Sequence, residues 1–329
     1  MDRRRRRPAT KLAAALSLLI AGTAGAALAA LSDPPIRAML WVARDAPTAR
    51  ALGSAPTECL KLPADPALAL KVEVGRAAFR TPVLLGGQAA RAHITCETCH
   101  REGRDNPDFL FPGVSGAAGT ADVTNSLFST HRGNGIDDPK PIPDLSAPKA
   151  RLKVDQDPAT QKLEPFLHGL ITEEFDGPEP TPAVMAGVAA YVRALDPAAC
   201  PARPRQPLGV ALLMSDARRA LRAAQAEREA GDAATAVTLV AGARSRLGLI
   251  DERYAGPRLA GERTRLHDAD ARLARIQTAL RDGRADAGTQ ITAWLAASQA
   301  LEAGVAARQP ASLFDPARLT AAAKRRLPG

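Results

Sequence analysis

Aromatic side chains are scarce in this chain: two Trp, two Tyr and seven Phe make up 3% of its 329 residues. So few rings leave room for some other flat apolar body to fill part of a core. They also bear on partners. The chain carries a formal charge of +9 and a pI near 9.9, yet no aromatics interleave its basic residues and no nucleic-acid-binding motif is present, so the charge does not point to DNA or RNA. The basic excess lies in residues 1–11 and 205–329, while residues 12–204 are slightly acidic. In the C-terminal third it suits solvated helix faces first, then an acidic partner protein or an anionic membrane surface. Cysteine is scarce too. Of four, Cys59 and Cys200 stand alone and only Cys96 and Cys99 form a C-x-x-C pair, so a zinc site built from two such pairs is excluded.

Long apolar runs are almost absent as well. The one present follows the basic M-D-R-R-R-R-R-P-A-T-K and extends from Leu12 to Leu31. It reads as a signal peptide with small residues for cleavage near Ala27-Leu28-Ala29, or as an uncleaved anchor of about bilayer length. Both readings export the chain to the periplasm, either soluble or held at the inner membrane through residues 12–31, with the arginines inside.

What remains is globular in composition, with 46% hydrophobic and 24% charged residues, and long enough for two domains. Residues 32–58 read as a connector with one apolar turn, Met39-Leu40-Trp41-Val42. Residues 59–203 are rich in Pro and Gly, with long irregular stretches between short helical patterns. Beyond Arg203-Pro204-Arg205-Gln206-Pro207 the chain becomes Ala-rich and periodic. Apolar stripes at Val210, Leu213, Met214, Ala217 and Leu221, at Val237, Val240, Ala243, Leu247 and Ile250, at Leu259, Leu266, Leu273 and Ile276, and at Ile291, Leu295, Ser298, Leu301 and Val305 predict four helices. Breaks at Gly231-Asp232, Gly256-Pro257 and near Gly283 separate them, and Asp315-Pro316 starts a short fifth. The fold class expected is all-α: a loop-rich domain followed by an antiparallel helical bundle over 207–328. Residues 226–247 resemble one tetratricopeptide helix pair, but no second copy follows at the required period.

The chemistry concentrates in H-I-T-C-E-T-C-H, residues 93–100. A C-x-x-C pair serves as a disulfide, a redox switch, half a zinc site or a haem anchor. Zinc needs two more ligands, and Cys59 and Cys200 are isolated. A thioredoxin-like switch belongs in a βαβ setting that is not present. Haem needs nothing further. One helical turn puts Cys96 and Cys99 on one side, where two thiols add to the two vinyl groups of a porphyrin, and His100 then offers a nitrogen to the iron. Covalent haem of this kind is matured outside the bacterial cytoplasm, in keeping with the N-terminus. In an oxidising compartment Cys59 and Cys200, which bracket the Pro/Gly-rich unit, are expected to pair, the alternative being two buried free thiols.

On these residues a resemblance can be stated. Residues 75–100, G-R-A-A-F-R-T-P-V-L-L-G-G-Q-A-A-R-A-H-I-T-C-E-T-C-H, are similar to the segment leading into a haem motif of bacterial di-haem cytochrome c peroxidases. Pro165-Phe166-Leu167-His168-Gly169 is similar to that family's P-Y-x-H-x-G turn, and Val184–Leu195 resembles the terminal helix of a cytochrome c domain. The resemblance covers about 130 residues and stops before the tail. It implies a single c-type haem on Cys96, Cys99 and His100 and an exchange of electrons with a redox partner protein. The family carries two haem motifs and this chain one, and Pro112–Gly119 lacks the distal histidine of a G-H-G-G run. Electron transfer is therefore expected over a peroxidase-like reaction run with a second cytochrome, and a zinc or disulfide module without haem is the remaining alternative. His131, His168 and Met185 are the candidates for a sixth iron ligand, His93 being too near the motif to reach the opposite face. The tail over 207–328 is expected to dock a partner or to dimerise.

Overall fold

The computed structural model describes residues 36–124 and 127–324. The expected export segment at 1–31 therefore lies outside the described residues, as do Arg325 and Arg326. Among the described residues no helix is long and apolar enough to cross a membrane. The chain is all-α. Its helices are α1 (Thr48–Gly53), α2 (Pro66–Phe79), α3 (Gly87–Arg91), α4 (Cys96–Cys99), α5 (Leu163–Gly169), α6 (Pro182–Ala194), α7 (Val210–Glu229), α8 (Ala233–Arg253), α9 (Ala260–Arg281), α10 (Ala287–Ala306) and α11 (Pro316–Lys324). Four short strands, β1 (Ser54–Pro56), β2 (Thr120–Ala121), β3 (Lys140–Pro141) and β4 (Arg205–Pro207), make two antiparallel pairs, β1 with β4 and β2 with β3.

The helix starts follow local chemistry. Asp65 caps α2 by accepting the Leu68 N–H at 2.8 Å, with Pro66 at the first helical position, and Thr181 does the same for α6 ahead of Pro182. Asp232 accepts the Thr235 N–H at 2.9 Å and starts α8, and Asp315 accepts the Arg318 N–H at 2.9 Å and starts α11. The second break differs slightly from expectation: Pro257 opens a single 3₁₀ turn, Pro257–Leu259, before α9 begins.

In the C-terminal region α7 packs on α8, α8 on α9, α9 on α10, and α10 back on α7. Most of the expected stripe residues close the core of this circuit, among them Val210, Leu213, Met214, Leu221, Val240, Leu247, Ile250, Leu266, Leu273, Ile276 and Ile291. Val237, Leu295 and Leu301 pack half-buried at its edge. The loop-rich region has its own core, in which Phe79, Ile94, Phe109, Phe111, Val188, Tyr191 and Leu195 are buried.

Helix α2 is the wall common to both. Val74 and Ala77 face the tail core, while Val72, Ala78 and Phe79 face the other. The stretches that read as linkers pair with each other. Ser54 stands opposite Pro207 and Pro56 opposite Arg205, and Ile36, Met39, Ala51 and Leu52 bury against Leu313, Leu319 and Ala322 near the C-terminus. Neither linker carries enough apolar periodicity to announce that pairing.

Helices α2 and α6 cross at a contact between glycines. A Cβ at Gly75 would lie 1.8 Å from the Gly187 carbonyl oxygen, and one at Gly187 would lie 2.8 Å from the Gly75 nitrogen. Beside the crossing the Phe79 and Tyr191 rings meet edge-on, with centroids 5.2 Å apart. Gly75→Ala must push backbone from backbone. A loss of about 3 kcal/mol is expected, read as a lower urea midpoint than wild type, whereas alanine at the open Gly248 inside α8 leaves stability unchanged or raises it by up to about 1 kcal/mol.

Candidate haem site

Residues 93–103 make two tight reversals. His93 takes a left-handed backbone (φ 61°), and Ile94 is buried as an anchor. Thr95 then starts α4 with a reciprocal cap: the Thr95 N–H donates to Thr98 Oγ1 at 3.0 Å, and the Thr98 N–H donates back to the Thr95 side chain. Asn106 Nδ2 donates to the Thr98 carbonyl at 2.9 Å and holds the end of the turn. The His100 N–H donates to the Cys96 carbonyl, so the sequence C-E-T-C-H forms one closed turn. After it, Glu102 (φ 52°) and Gly103 (φ 70°) send the chain back under the motif. Only glycine fits at 103, because a Cβ there would sit 2.5 Å from Leu195 Cδ1.

Cys96 and Cys99 are free thiols, half-buried against the apolar core of the loop-rich region, while Cys59 and Cys200 are bonded to each other. Burial pushes the Cys96 and Cys99 thiols up to about 12, so both are neutral. A zinc ligand or a redox nucleophile requires the thiolate, which forms in electropositive surroundings rather than apolar ones. Among the described residues no group of three or more His, Cys, Asp or Glu side chains is gathered to hold a metal ion. Zinc needs four donors from the protein, whereas haem iron brings four porphyrin nitrogens and asks the chain for one or two.

The His100 ring is placed by a contact that the motif alone does not disclose. Its Nδ1 lies 3.0 Å from the Pro143 carbonyl oxygen. A carbonyl only accepts, so Nδ1 carries the proton and Nε2 is left with a free lone pair, the state an iron ligand requires. Burial brings the imidazolium down to about 4, which keeps the ring neutral. The loop bearing Pro143 is clamped in turn. Asp144 accepts from Ser146 and, at 2.7 Å, from Arg104 Nε, and the Leu145 N–H donates to the Gly103 carbonyl. Arg104 Nη1 also lies 3.3 Å from Cys59 Sγ. Disulfide, guanidinium, carboxylate, carbonyl and imidazole thus form one chain of contacts. The two thiols, the oriented imidazole and the apolar surroundings fit a covalent haem.

The three sixth-position candidates separate in the structure. Met185 is half-buried on the first turn of α6 and packs against the core cluster that carries Cys96 and Cys99. The His131 side chain is 65% exposed, its Nδ1 3.0 Å from Asp176. His168 is 42% exposed, its Nε2 2.9 Å from Glu179.

Behind the motif lies a buried charge network that the sequence reading missed. Arg80, 3% exposed, reaches Glu102 at 2.5 Å, Glu58 at 3.1 Å, Glu97 at 3.3 Å and Asp216 at 3.8 Å. Arg246 of α8 donates to Glu97 at 2.9 Å and to the Arg80 carbonyl at 2.8 Å. Burial, with Glu97 and Asp216 nearby, outweighs Arg80 and lifts Glu102 to about 7. Glu97, one of the two residues between the motif cysteines, is therefore held by the tail. Its one sequence signal was a glutamate inside C-x-x-C, which by itself reads as a solvated residue.

Comparison with protein-family models, with curated proteins and with solved structures finds no match.

Proposed function

We propose that residues 59–203 are a c-type cytochrome domain with one covalent haem on Cys96 and Cys99 and His100 as proximal ligand, working in electron transfer with a redox partner protein. The observation that carries this reading is the His100–Pro143 contact, which presents Nε2 beside two neutral thiols one helical turn apart. The crossing of α2 on α6, whose sequence resembles the terminal helix of a cytochrome c domain, supports it. The haem would supply the one-electron chemistry. The chain's own residues hold the proton on Nδ1 through the Pro143 carbonyl, set the Phe79 ring beside the imidazole, and fix the loop through Arg104 and Asp144. Met185 is the proposed sixth ligand, since it packs against the cluster that the cysteines share. The tail over 207–328, as an antiparallel bundle, forms the back wall of the motif, and its outer faces are left for docking a partner. The Cys59–Cys200 bond suits export to the periplasm, soluble or anchored through 12–31.

The test is production in a host that matures c-type haem, followed by acidified acetone. The expected result is one haem per chain that stays with the protein and is lost in Cys96→Ser/Cys99→Ser. Colour that extracts into the solvent overturns the reading. Met185→Ala is expected to open the iron, so that the reduced variant binds carbon monoxide at least about tenfold faster than wild type. Equal rates remove Met185 from that role, and rapid peroxide turnover by wild type favours the peroxidase-like alternative.

A further inference from the structure

A half-open pocket of about 180 Å³ lies on the side of α4 away from the sulfurs. Thr95, Glu97 and Thr98 line it, alternating around the turn with the proposed haem-bearing residues. The connector forms one wall, with Trp41 and Phe109, and the tail forms the other. Half-buried Ala38, Trp41, Leu208, Leu212 and Leu249 give the pocket an apolar side, and the Arg37–Glu252 ion pair also lines it. The floor is polar, with Glu97, Asp216 and Arg246. Arg246 is 5% exposed, and while its two terminal nitrogens are used, its buried Nε donates to nothing. An unpaired buried donor is costly unless a ligand or water accepts from it. His93 also lines the pocket.

A cavity of about 150 Å³ holds a benzene, so this pocket has room for one substituted aromatic ring. Its polar floor suits ring oxygens, and the apolar side formed by Trp41, Leu208, Leu212 and Leu249 suits a hydrocarbon tail. Both sit directly behind the turn proposed to carry the haem. We infer that the pocket binds the headgroup of a lipid quinol, which is the electron donor to the haem. This inference rests on the cytochrome reading above. Ile36, at the pocket wall, follows shortly after the apolar run 12–31, so a chain anchored there holds the mouth near the bilayer where such quinols reside.

The bookkeeping closes with the partner already proposed. The two O–H bonds of the quinol break and the ring becomes the quinone. Two protons leave through the mouth to water. The two electrons would leave singly, the haem supplying a one-electron acceptor and the proposed redox partner the onward sink for each. Arg246 Nε donates to one ring oxygen, and His93, half-buried in the lining, is the imidazole nearest in sequence to the turn proposed to carry the haem.

The experiment is calorimetric titration of the haem-loaded protein with a short-tailed benzoquinone. Single-site binding is expected, weakened at least about tenfold by Leu212→Trp, which fills the mouth. Leu249→Trp is a second variant, on the neighbouring tail helix α8, and the thermal melt of each shows whether it is folded. In stopped flow the corresponding quinol should reduce wild-type haem, and the folded variants at least about tenfold more slowly, while ascorbate reduces all of them alike. No heat with the quinone, or undiminished binding in both folded variants, overturns the inference. Quinone binding by protein that carries no covalent haem supports the pocket and overturns the cytochrome reading, so the two failures are told apart.

Discussion

Replacing both Cys59 and Cys200 by serine is expected to destabilise the protein by about 5 kcal/mol. The bond joins residues separated by 141 positions. In the chain-entropy account a closed loop of 100 residues is worth about 4.7 kcal/mol at 25 °C, and longer loops slightly more. Without the bridge the denatured chain gains that freedom, so the denatured state expands and the urea slope rises together with the fall in midpoint. Native contacts beside the bond keep the variant foldable. The Lys61 N–H donates to the Ala194 carbonyl, and the Asp196 N–H to the Cys59 carbonyl, each at 2.9 Å. The check is urea denaturation of wild type and double variant at one pH, with reduced wild type as a third arm that should match the variant. A midpoint unchanged by the double substitution removes the bond from the stability of this fold.

How much of this was legible in the sequence depends on distance along the chain. The tail helices were readable because their signal is local. Leu266, Leu273 and Ile276 recur at helical spacing, and Asp232 and Asp315 are capping residues whose partners lie three positions away. The motif was readable for the same reason, since Cys96, Cys99 and His100 belong to a single turn. Pro143 was not, because its carbonyl reaches His100 across 43 residues of loop whose order rests on backbone bonds such as Leu145 to Gly103. Backbone carbonyls leave no trace in side-chain pattern. The pairing of 54–56 with 205–207 was equally hidden, since two stretches of three residues, each ending in a proline, carry no strand alternation. Arg80 and Arg246 are ordinary charges in a basic chain until burial makes them specific.

The join between tail and loop-rich region was the least legible feature, and it changes what the tail can be. Both cores use α2, and Gly242 of α8 comes so close to Thr81 that a Cβ would lie 2.5 Å from its hydroxyl. A tail deleted to test partner docking would strip Val74 and Ala77 of cover and leave the Arg80 network open to water. Substitutions on outer tail faces, not deletions, therefore test that role. Arg272 and Arg275, both exposed on α9, are suitable sites.

Arg80→Met is expected to cost about 3–5 kcal/mol at neutral pH, the loss that follows when one partner leaves a buried ionic cluster. Methionine fills much of the volume but leaves Glu58, Glu97, Glu102 and Asp216 facing one another with Arg76, Arg219 and Arg246 as their remaining cations. The pH dependence distinguishes this from simple loss of packing. In wild type, burial alone would raise Asp216, but Arg80, Arg219 and Arg246 together hold it below the usual carboxylate range, and Glu97 is held down by Arg80 and Arg246 against the same burial. A depressed carboxylate contributes stability that is present above its unfolded value and lost as pH falls through its folded one. Without Arg80 those folded values rise, so that part of the stability is already absent at neutral pH. The gap between variant and wild type should therefore be widest near pH 7–8 and close progressively in acid, disappearing only as pH falls through the depressed wild-type values of Asp216 and Glu97, where these carboxylates are protonated in both proteins. Arg80→Lys, one charge without the fork, should fall between them because it cannot reach four carboxylates at once. Urea midpoints of the three proteins across that range decide it: a gap that stays constant with pH assigns Arg80 to packing, and one that closes in acid assigns it to charge.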